Sequence, residues 1–340
     1  MAANETDIER LIDAHDATAT IAGSVLVEPV DDFVAPEGVK QKRKSVWGIF
    51  REMPFLVKLG TLWLLVVLFA AIYAQLDAKV FNGSLPLGDP NLQLNGFNPA
   101  TGEFGDREPL ESPSWAHPLG TDALARDTFS RAIHGAYVSV TVAIVSVVCG
   151  VIVGGLIGSL AGYVRGKTET ALMALLDVVL AFPALVLVLA LVSIFEVRDL
   201  FVISLVIGLL SIPAYTRVSR ANSLAISNRE FVLAAQAIGT KRWTILRREI
   251  IPNVLPTLLA YAMVAAAAVV VVEGSLSFLG LSVQLPTSSW GNMINPARRD
   301  IMVNFGQILY PSLILTLTVR ALNQVGDFFQ RRSAFRGSSL

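Results

Sequence analysis

Apolar residues in this 340-residue chain are gathered into six long runs, and that arrangement limits the fold more than any other feature. A hydrocarbon core about 30 Å thick takes roughly 20 helical residues to cross. In lipid, only helices or closed barrels satisfy their own backbone hydrogen bonds. The runs lie near Phe55–Leu76, Tyr137–Val164, Ala171–Phe195, Phe201–Thr216, Val254–Val272 and Phe305–Val325. They predict an all-α membrane protein with six transmembrane helices. The composition agrees, with 53% hydrophobic residues, 16% charged residues and a mean hydropathy of +0.58, where soluble chains carry roughly 25% charged residues. A soluble enzyme, a nucleic-acid-binding domain and a secreted disulfide scaffold are excluded. The single cysteine, Cys149, sits inside an apolar run and reads as a small buried hydrophobe.

Charge is segregated along the chain, although the formal net charge is zero. Residues 1–39 hold nine acids against Arg10 and read as a flexible acidic tail. Lys40, Lys42, Arg43, Lys44 and Arg51 then precede the first span, so segment 40–76 joins a basic stretch to a helix. The loop 77–136 carries eight acids and four bases, whereas 217–249 carries seven bases and two acids. Arg331, Arg332 and Arg336 follow the last span, in a tail over 328–340. Basic loops stay on the cytoplasmic side, so both termini and segment 217–252 are expected inside and loop 77–136 outside. Residues 137–327 form the expected five-helix core.

Chemical motifs are sparse. Gly166-Lys167-Thr168 imitates the end of a phosphate-binding loop, but Ala161 stands where its first glycine belongs and no strand precedes it. His15, His117 and His134 lack metal-ligand spacing, and no Gly-x-Ser-x-Gly elbow occurs. The expectation is therefore no catalytic, cofactor or metal site in this chain. Gly150, Gly154, Gly158 and Gly162 recur every fourth residue, a spacing that lets helix backbones approach closely in a membrane. Asp177, Glu273 and Arg320 fall within or at the ends of spans, where charges face a counter-charge, water or the bundle interior. They are candidates for structural pairing or pathway lining. Pro183 and Pro213 allow bends in the third and fourth spans.

The basic loop is the most informative stretch. Ser227 and Glu230 have capping-box spacing, so a helix is expected from Ser227 through Ala234 and Ala235 to a stop at Gly239. A second amphipathic helix is expected from Lys241, with Trp243, Leu246 and Ile250 on one face, ending before Pro252. Such an element lies outside the bilayer, docked on a partner or resting on anionic lipid.

Three blocks together resemble the C-type permease subunits of the dipeptide, oligopeptide and nickel group of ATP-binding-cassette importers. The first is Ala234-Ala235, Gly239 and Pro252, followed by Asn253-Val254-Leu255-Pro256. The second is His117-Pro118-Leu119-Gly120-Thr121-Asp122 with Arg126-Asp127 and Ser130-Arg131. The third is Glu273-Gly274-Ser275-Leu276-Ser277-Phe278-Leu279-Gly280 with Trp290-Gly291. Leu233 replaces a glutamate frequent in the superfamily, Glu249 takes a usually apolar position, and Ala125 replaces a usual glycine. The blocks cover roughly residues 50–327.

The resemblance implies a type I ABC importer permease fold in a bacterial inner membrane. It implies a second homologous permease, two ATPase subunits that use ATP and Mg, and an extracytoplasmic substrate-binding protein. Ser227, Glu230, Ala234, Ala235, Gly239 and Pro252 would then form the ATPase-coupling segment. The implied cargo is a dipeptide or oligopeptide, with nickel or another metal chelate as the alternative. An ion-coupled secondary transporter would need midplane ion ligands and internal repeats; Asp177 is the one candidate acid, and no repeat is seen.

Overall fold

The computed structural model describes residues 46–81, 87, 89–93, 97–98, 103–104, 108–195 and 199–337. The acidic segment 1–39 and the basic residues Lys40 to Lys44 lie outside the described residues. Two units are distinguished, Met1–Arg51 and Glu52–Leu340. Helix α1, Val46–Glu52, begins in the first.

The second unit is a helical bundle. Its helices are α2 (Phe55–Phe81), α3 (Thr128–Val164), α4 (Lys167–Leu180), α5 (Ala184–Phe195) and α6 (Leu200–Ser227). They are followed by α7 (Glu230–Ala237), α8 (Arg242–Phe278), α9 (Trp290–Ala297) and α10 (Gly306–Gly337). Five of them are long and apolar enough to cross a membrane, and the pair α4–α5 makes up to six. Among the described residues the only sheet is an antiparallel pair, β1 (Phe97–Asn98) with β2 (Glu103–Phe104).

Five of the six expected spans are continuous helices, the third corresponds to the bent pair α4–α5, and the local differences have local causes. The third is not continuous: α4 and α5 meet at 82°. Pro183 lacks the N–H that the helix needs and forces Phe182 away from helical backbone, and its carbonyl then starts α5 by accepting Leu187 N–H at 3.0 Å. The fourth extends eleven residues past Thr216, to Ser227, and carries Pro213 buried inside it. The fifth corrects an expectation outright. No separate helix ends before Pro252; α8 runs unbroken from Arg242 to Phe278. The turn Leu246–Ile250 widens to a π-helix, with Ile251 N–H reaching back to Leu246 O, just ahead of the proline that cannot donate.

Helices α3 and α6 pack along a seam of small residues. A side chain at Gly154 would meet Tyr215 Cβ and Ile212 O, and one at Gly162 would meet Arg220 O and Ser223 Cβ. Gly150 and Gly158 face Tyr215 and Thr216 O in the same way. Serines complete the seam: Ser219 Oγ donates to Gly155 O at 2.8 Å, and Ser146 Oγ to Ser204 O at 2.9 Å. Above it lies an apolar core of Val138 and Val142 from α3, Ile203 and Ile207 from α6, and Ala267 and Val270 from α8.

The two ends of the bundle are tied differently. At one end, Asp77 of α2 meets His134 of α3 at 3.2 Å, Trp290 Nε1 donates to Ala132 O at 2.9 Å, and Gln307 Nε2 donates to Thr121 O at 2.7 Å. At the other end, Arg332 meets Glu52 at 3.1 Å, and Arg165 Nη2 donates to Ser227 Oγ at 2.9 Å. The second pair of contacts puts the start of α2 and the end of α10 on the same side.

Candidate functional site

Helix α7 and the base of α8 form the most distinctive surface at the end where Ser227 lies. The helix does not start as the capping box required. Ser227 is the last residue of α6, where its hydroxyl donates to Leu224 O and accepts from Arg165. Its side chain is therefore occupied before the next helix begins. Arg229 takes the N-cap position in extended backbone with no side-chain cap, and Glu230 opens the helix, where its charge suits the N-terminal dipole.

The stop is built from Gly239. Its φ of +79° permits two bonds, Gly239 N–H to Gln236 O at 3.0 Å and Thr240 N–H to Ala235 O at 3.1 Å. These are the paired bonds of a Schellman turn, which satisfy the last carbonyls of α7. The turn aims the chain straight into α8.

One residue anchors the element. Val232 is fully buried and belongs to an apolar cluster with Ile245, Leu246 and Ile250 of α8 and Tyr215 of α6, while Ala235 lies half-buried against the same cluster. The opposite surface is uncovered: Phe231, Leu233, Ala234, Ile238 and Trp243 are all exposed. Arg229, Lys241, Arg242, Arg247 and Arg248 surround it, also exposed. A short rigid helix held by one buried side chain, with a small-and-apolar ridge inside a cationic rim, can dock into a groove on another protein. Pro252 is exposed at the base of α8 and belongs to the helix that carries the element, not to its ridge.

The three intramembrane charges are dispersed. Asp177 of α4 pairs with Arg217 of α6 at 2.6 Å, and one turn further along α6 Arg220 pairs with Glu169. Both arginines fall inside α6 and have their own acids, so neither adds to the charge of the loop. Glu273 has no basic partner among the described residues. It is fully buried, with Oε1 accepting from Ser277 Oγ at 2.6 Å and Oε2 from Ser139 Oγ at 3.1 Å. Arg320 is exposed on α10. The sequence reading missed both arginines as partners because it ended the fourth span at Thr216.

Residues 154–337 match the family of binding-protein-dependent transport system inner membrane components. The chain belongs to this family. It is an inner-membrane, multi-pass permease subunit of an ABC importer, a transport component and not an enzyme. Among its relatives, the glutathione transport system permease protein GsiD of Escherichia coli is 32% identical over 86% of this permease and 90% of its own length. GsiD of Pectobacterium atrosepticum is 37% identical over 64% of this permease and 72% of its own length. A chain of the MetNI methionine ABC transporter in inward-facing conformations aligns at 16% identity, covering 60% of this permease and 97% of that chain with a TM-score of 0.49.

Proposed function

We propose that this permease imports peptide-like cargo, with α7 docking on an ATPase subunit in the cytoplasm. The observation that carries the reading is the exposed ridge of α7 held by the buried Val232. Relatives named for glutathione transport support a small peptide as cargo, since glutathione is itself a tripeptide. The excess of bases around α7, together with the acids of the long loop before α3, supports a cytoplasmic α7 and cytoplasmic termini.

The geometry suggests how the motion is delivered. Val232 belongs to an apolar cluster that also holds Ile245 and Ile250 of α8 and Tyr215 of α6, so a displacement of α7 reaches both helices through that cluster. Tightly packed elements transmit such displacements as rigid-body shifts. ATP and Mg act in the two ATPase subunits, and this chain binds neither. A second permease completes the pathway, and an external binding protein delivers the cargo.

Ala234 is the position to test, because it is exposed while Ala235 contributes to the buried cluster. Purified in mild detergent, the wild-type chain should carry a second permease and two ATPases. In vesicles, Ala234→Trp should lower ATP-driven dipeptide uptake and cargo-stimulated hydrolysis by at least about tenfold, the loss of some 1.4 kcal/mol of docking. Cargo binding to the external receptor should not change. Full uptake by a well-expressed Ala234→Trp complex removes the docking role, and solute movement by the chain alone without ATP removes the importer reading.

A further inference from the structure

The contact between α3 and α8 leaves apolar space that the docking of α7 does not use. The two helices run antiparallel, and Val140 and Val147 of α3 share a cavity of about 310 Å³ with Val270 and Ala262 of α8. Next along the same pair lies a second cavity of about 180 Å³. Val151, Gly155 and Ser159 of α3 line it from one side, and Ile251, Val254 and Leu258 of α8 from the other. It extends about 12 Å along α3 at 1.5 Å per residue, close to half of a hydrocarbon core about 30 Å thick. That half is the share filled by the tails of one leaflet.

The second cavity is built to exclude water. Its one polar side chain, Ser159, donates to Ser219 Oγ of α6 at 3.0 Å, because the Ser219 proton is committed to Gly155 O. An aliphatic cavity of about 150 Å³ stays dry and takes up apolar molecules. The rim decides which apolar molecule. Ile144, Val148, Ile152 and Leu156 recur every fourth residue of α3, all exposed, and Leu255 of α8 is exposed across the cavity. Membrane helices meet through small residues, and α3 has placed its glycines on α6. A bulky, branched stripe of this kind suits a lipid tail and not a further helix.

Charge marks the end of the cavity nearest α7. The lining residue Ile251 follows directly on the widened turn Leu246–Ile250, which carries Arg247 and Arg248. Both arginines are exposed, and among the described residues neither joins an acid, whereas Arg217, Arg220 and Arg332 each do. Glu249 is the one acid between residues 241 and 258, set against Lys241, Arg242 and these two arginines. Basic sites between spanning helices on the cytoplasmic side hold anionic lipid headgroups.

We propose that the cleft between α3 and α8 binds one anionic phospholipid, with a tail in the cavity between Val151 and Val254 and the headgroup phosphate on Arg247 and Arg248. The lipid bridges the helix that packs on α6 and the helix that carries α7, with its headgroup beside the docking ridge. Binding needs neither ATP nor cargo, so it stands apart from the importer reading.

The first test uses the assembled complex in phosphatidylcholine vesicles that hold a trace of phosphatidylglycerol with a photoactivatable diazirine in one tail. Mass spectrometry should find adducts on segments 151–159 and 251–258. Excess unlabelled phosphatidylglycerol should suppress them, where added phosphatidylcholine does not. Uncompeted labelling of the cleft, no heavier than that of α2 over residues 62–69, leaves only boundary lipid and overturns the proposal. A disulfide to the second permease formed by Leu156→Cys, with Cys149→Ala as background, also overturns it, because the cleft is then a contact between subunits.

The second test measures the preference for phosphatidylglycerol over phosphatidylcholine by native mass spectrometry of the complex in detergent. Arg247→Ala with Arg248→Ala should lower that preference about thirtyfold, about 1 kcal/mol for each lost charge. Arg247→Lys with Arg248→Lys should keep most of it. Leu255→Trp, which fills the mouth of the cavity, should weaken both lipids alike by about tenfold, the burial of roughly two methylenes. Lipid is counted on every species that contains this permease, so shedding of the ATPases does not alter the reading. A preference unchanged by the alanines overturns the headgroup site, and binding unchanged by Leu255→Trp overturns the cavity as its seat.

Discussion

At the scale of single residues, the turn after α7 depends on backbone conformation and not on crowding. Gly239 holds φ at +79°, and nothing lies within 4 Å of where a Cβ would stand. A side chain there meets no neighbour, so its whole effect is the left-handed penalty of about 1 kcal/mol. Gly239→Ala should therefore weaken the Schellman turn and lower coupled ATP hydrolysis several-fold, and Gly239→Asn should recover part of the loss because asparagine tolerates this region. Hydrolysis by complexes of matched composition measures it; identical rates for all three chains would show that the turn is not needed. The glycine was legible from the sequence because its position after an alanine-rich helix has one physical explanation. The start of the same helix was not. Ser227 and Glu230 have the right spacing for a cap, but α6 continues to Ser227 and leaves its hydroxyl bonded to Leu224 and Arg165. A local motif yielded to the length of the preceding helix. Ala125 shows the reverse case: it holds φ at +54° and is fully buried, a conformation that suits the glycine it replaces in the family pattern.

Among elements, the contact between α3 and α6 is the most demanding. Gly154, Gly158 and Gly162 of α3 face backbone or β-carbons of α6, Gly150 faces the Tyr215 ring and Ser211 Oγ, and serine hydroxyls bond across the same line. Membrane helices gain little from the hydrophobic effect against each other, so close packing and interhelical hydrogen bonds hold them. At Gly158 a Cβ would run into Thr216 O and Ser219 Cβ, with Arg220 N at 2.9 Å. Backbone atoms cannot swing aside as a flexible side chain does. Gly158→Leu should separate the helices and cost about 1–3 kcal/mol, lowering the thermal aggregation midpoint of the complex in detergent. Gly166→Leu is the comparison for size alone, since no atom lies within 4 Å of its Cβ position, although its φ of +69° adds backbone strain. A Gly158→Leu complex as heat-stable as wild type would show that the seam has slack. The four-residue spacing announced a seam, and hydropathy located the spans. Which helix lies opposite was not legible, because spacing on one helix carries no information about its partner. Breaks at prolines were only half legible for a similar reason. Pro183 divides a span, while Pro252 follows a widened turn and leaves its helix unbroken.

Across the whole molecule, Glu273 connects the parts that meet at the end opposite α7. It sits on α8, accepts hydrogen bonds from Ser139 of α3 and Ser277 of its own helix, and through Ser277 reaches Ser289. Ser289 caps α9 in a reciprocal bond with Asn292, and the next residue, Trp290, is buried with its indole N–H on Ala132 O. One carboxyl group therefore links the third block of the sequence to the helix that follows the second. Removing it leaves two buried hydroxyls without acceptors, at about 1–3 kcal/mol for each unsatisfied group, while a glutamine keeps an acceptor of similar shape. Glu273→Ala should lower the thermal midpoint and loosen α9, seen as faster amide hydrogen exchange over residues 289–297. Glu273→Gln should stay close to wild type in both measurements. Because α7 and Glu273 lie at opposite ends of α8, a change at Glu273 that acts only through packing should leave ATPase assembly intact. Loss of the co-purifying ATPases in Glu273→Ala would mean that α8 couples its two ends more rigidly than the local network explains. Unchanged exchange over α9 would mean that the serines find other partners and that the carboxyl group does not hold this end together.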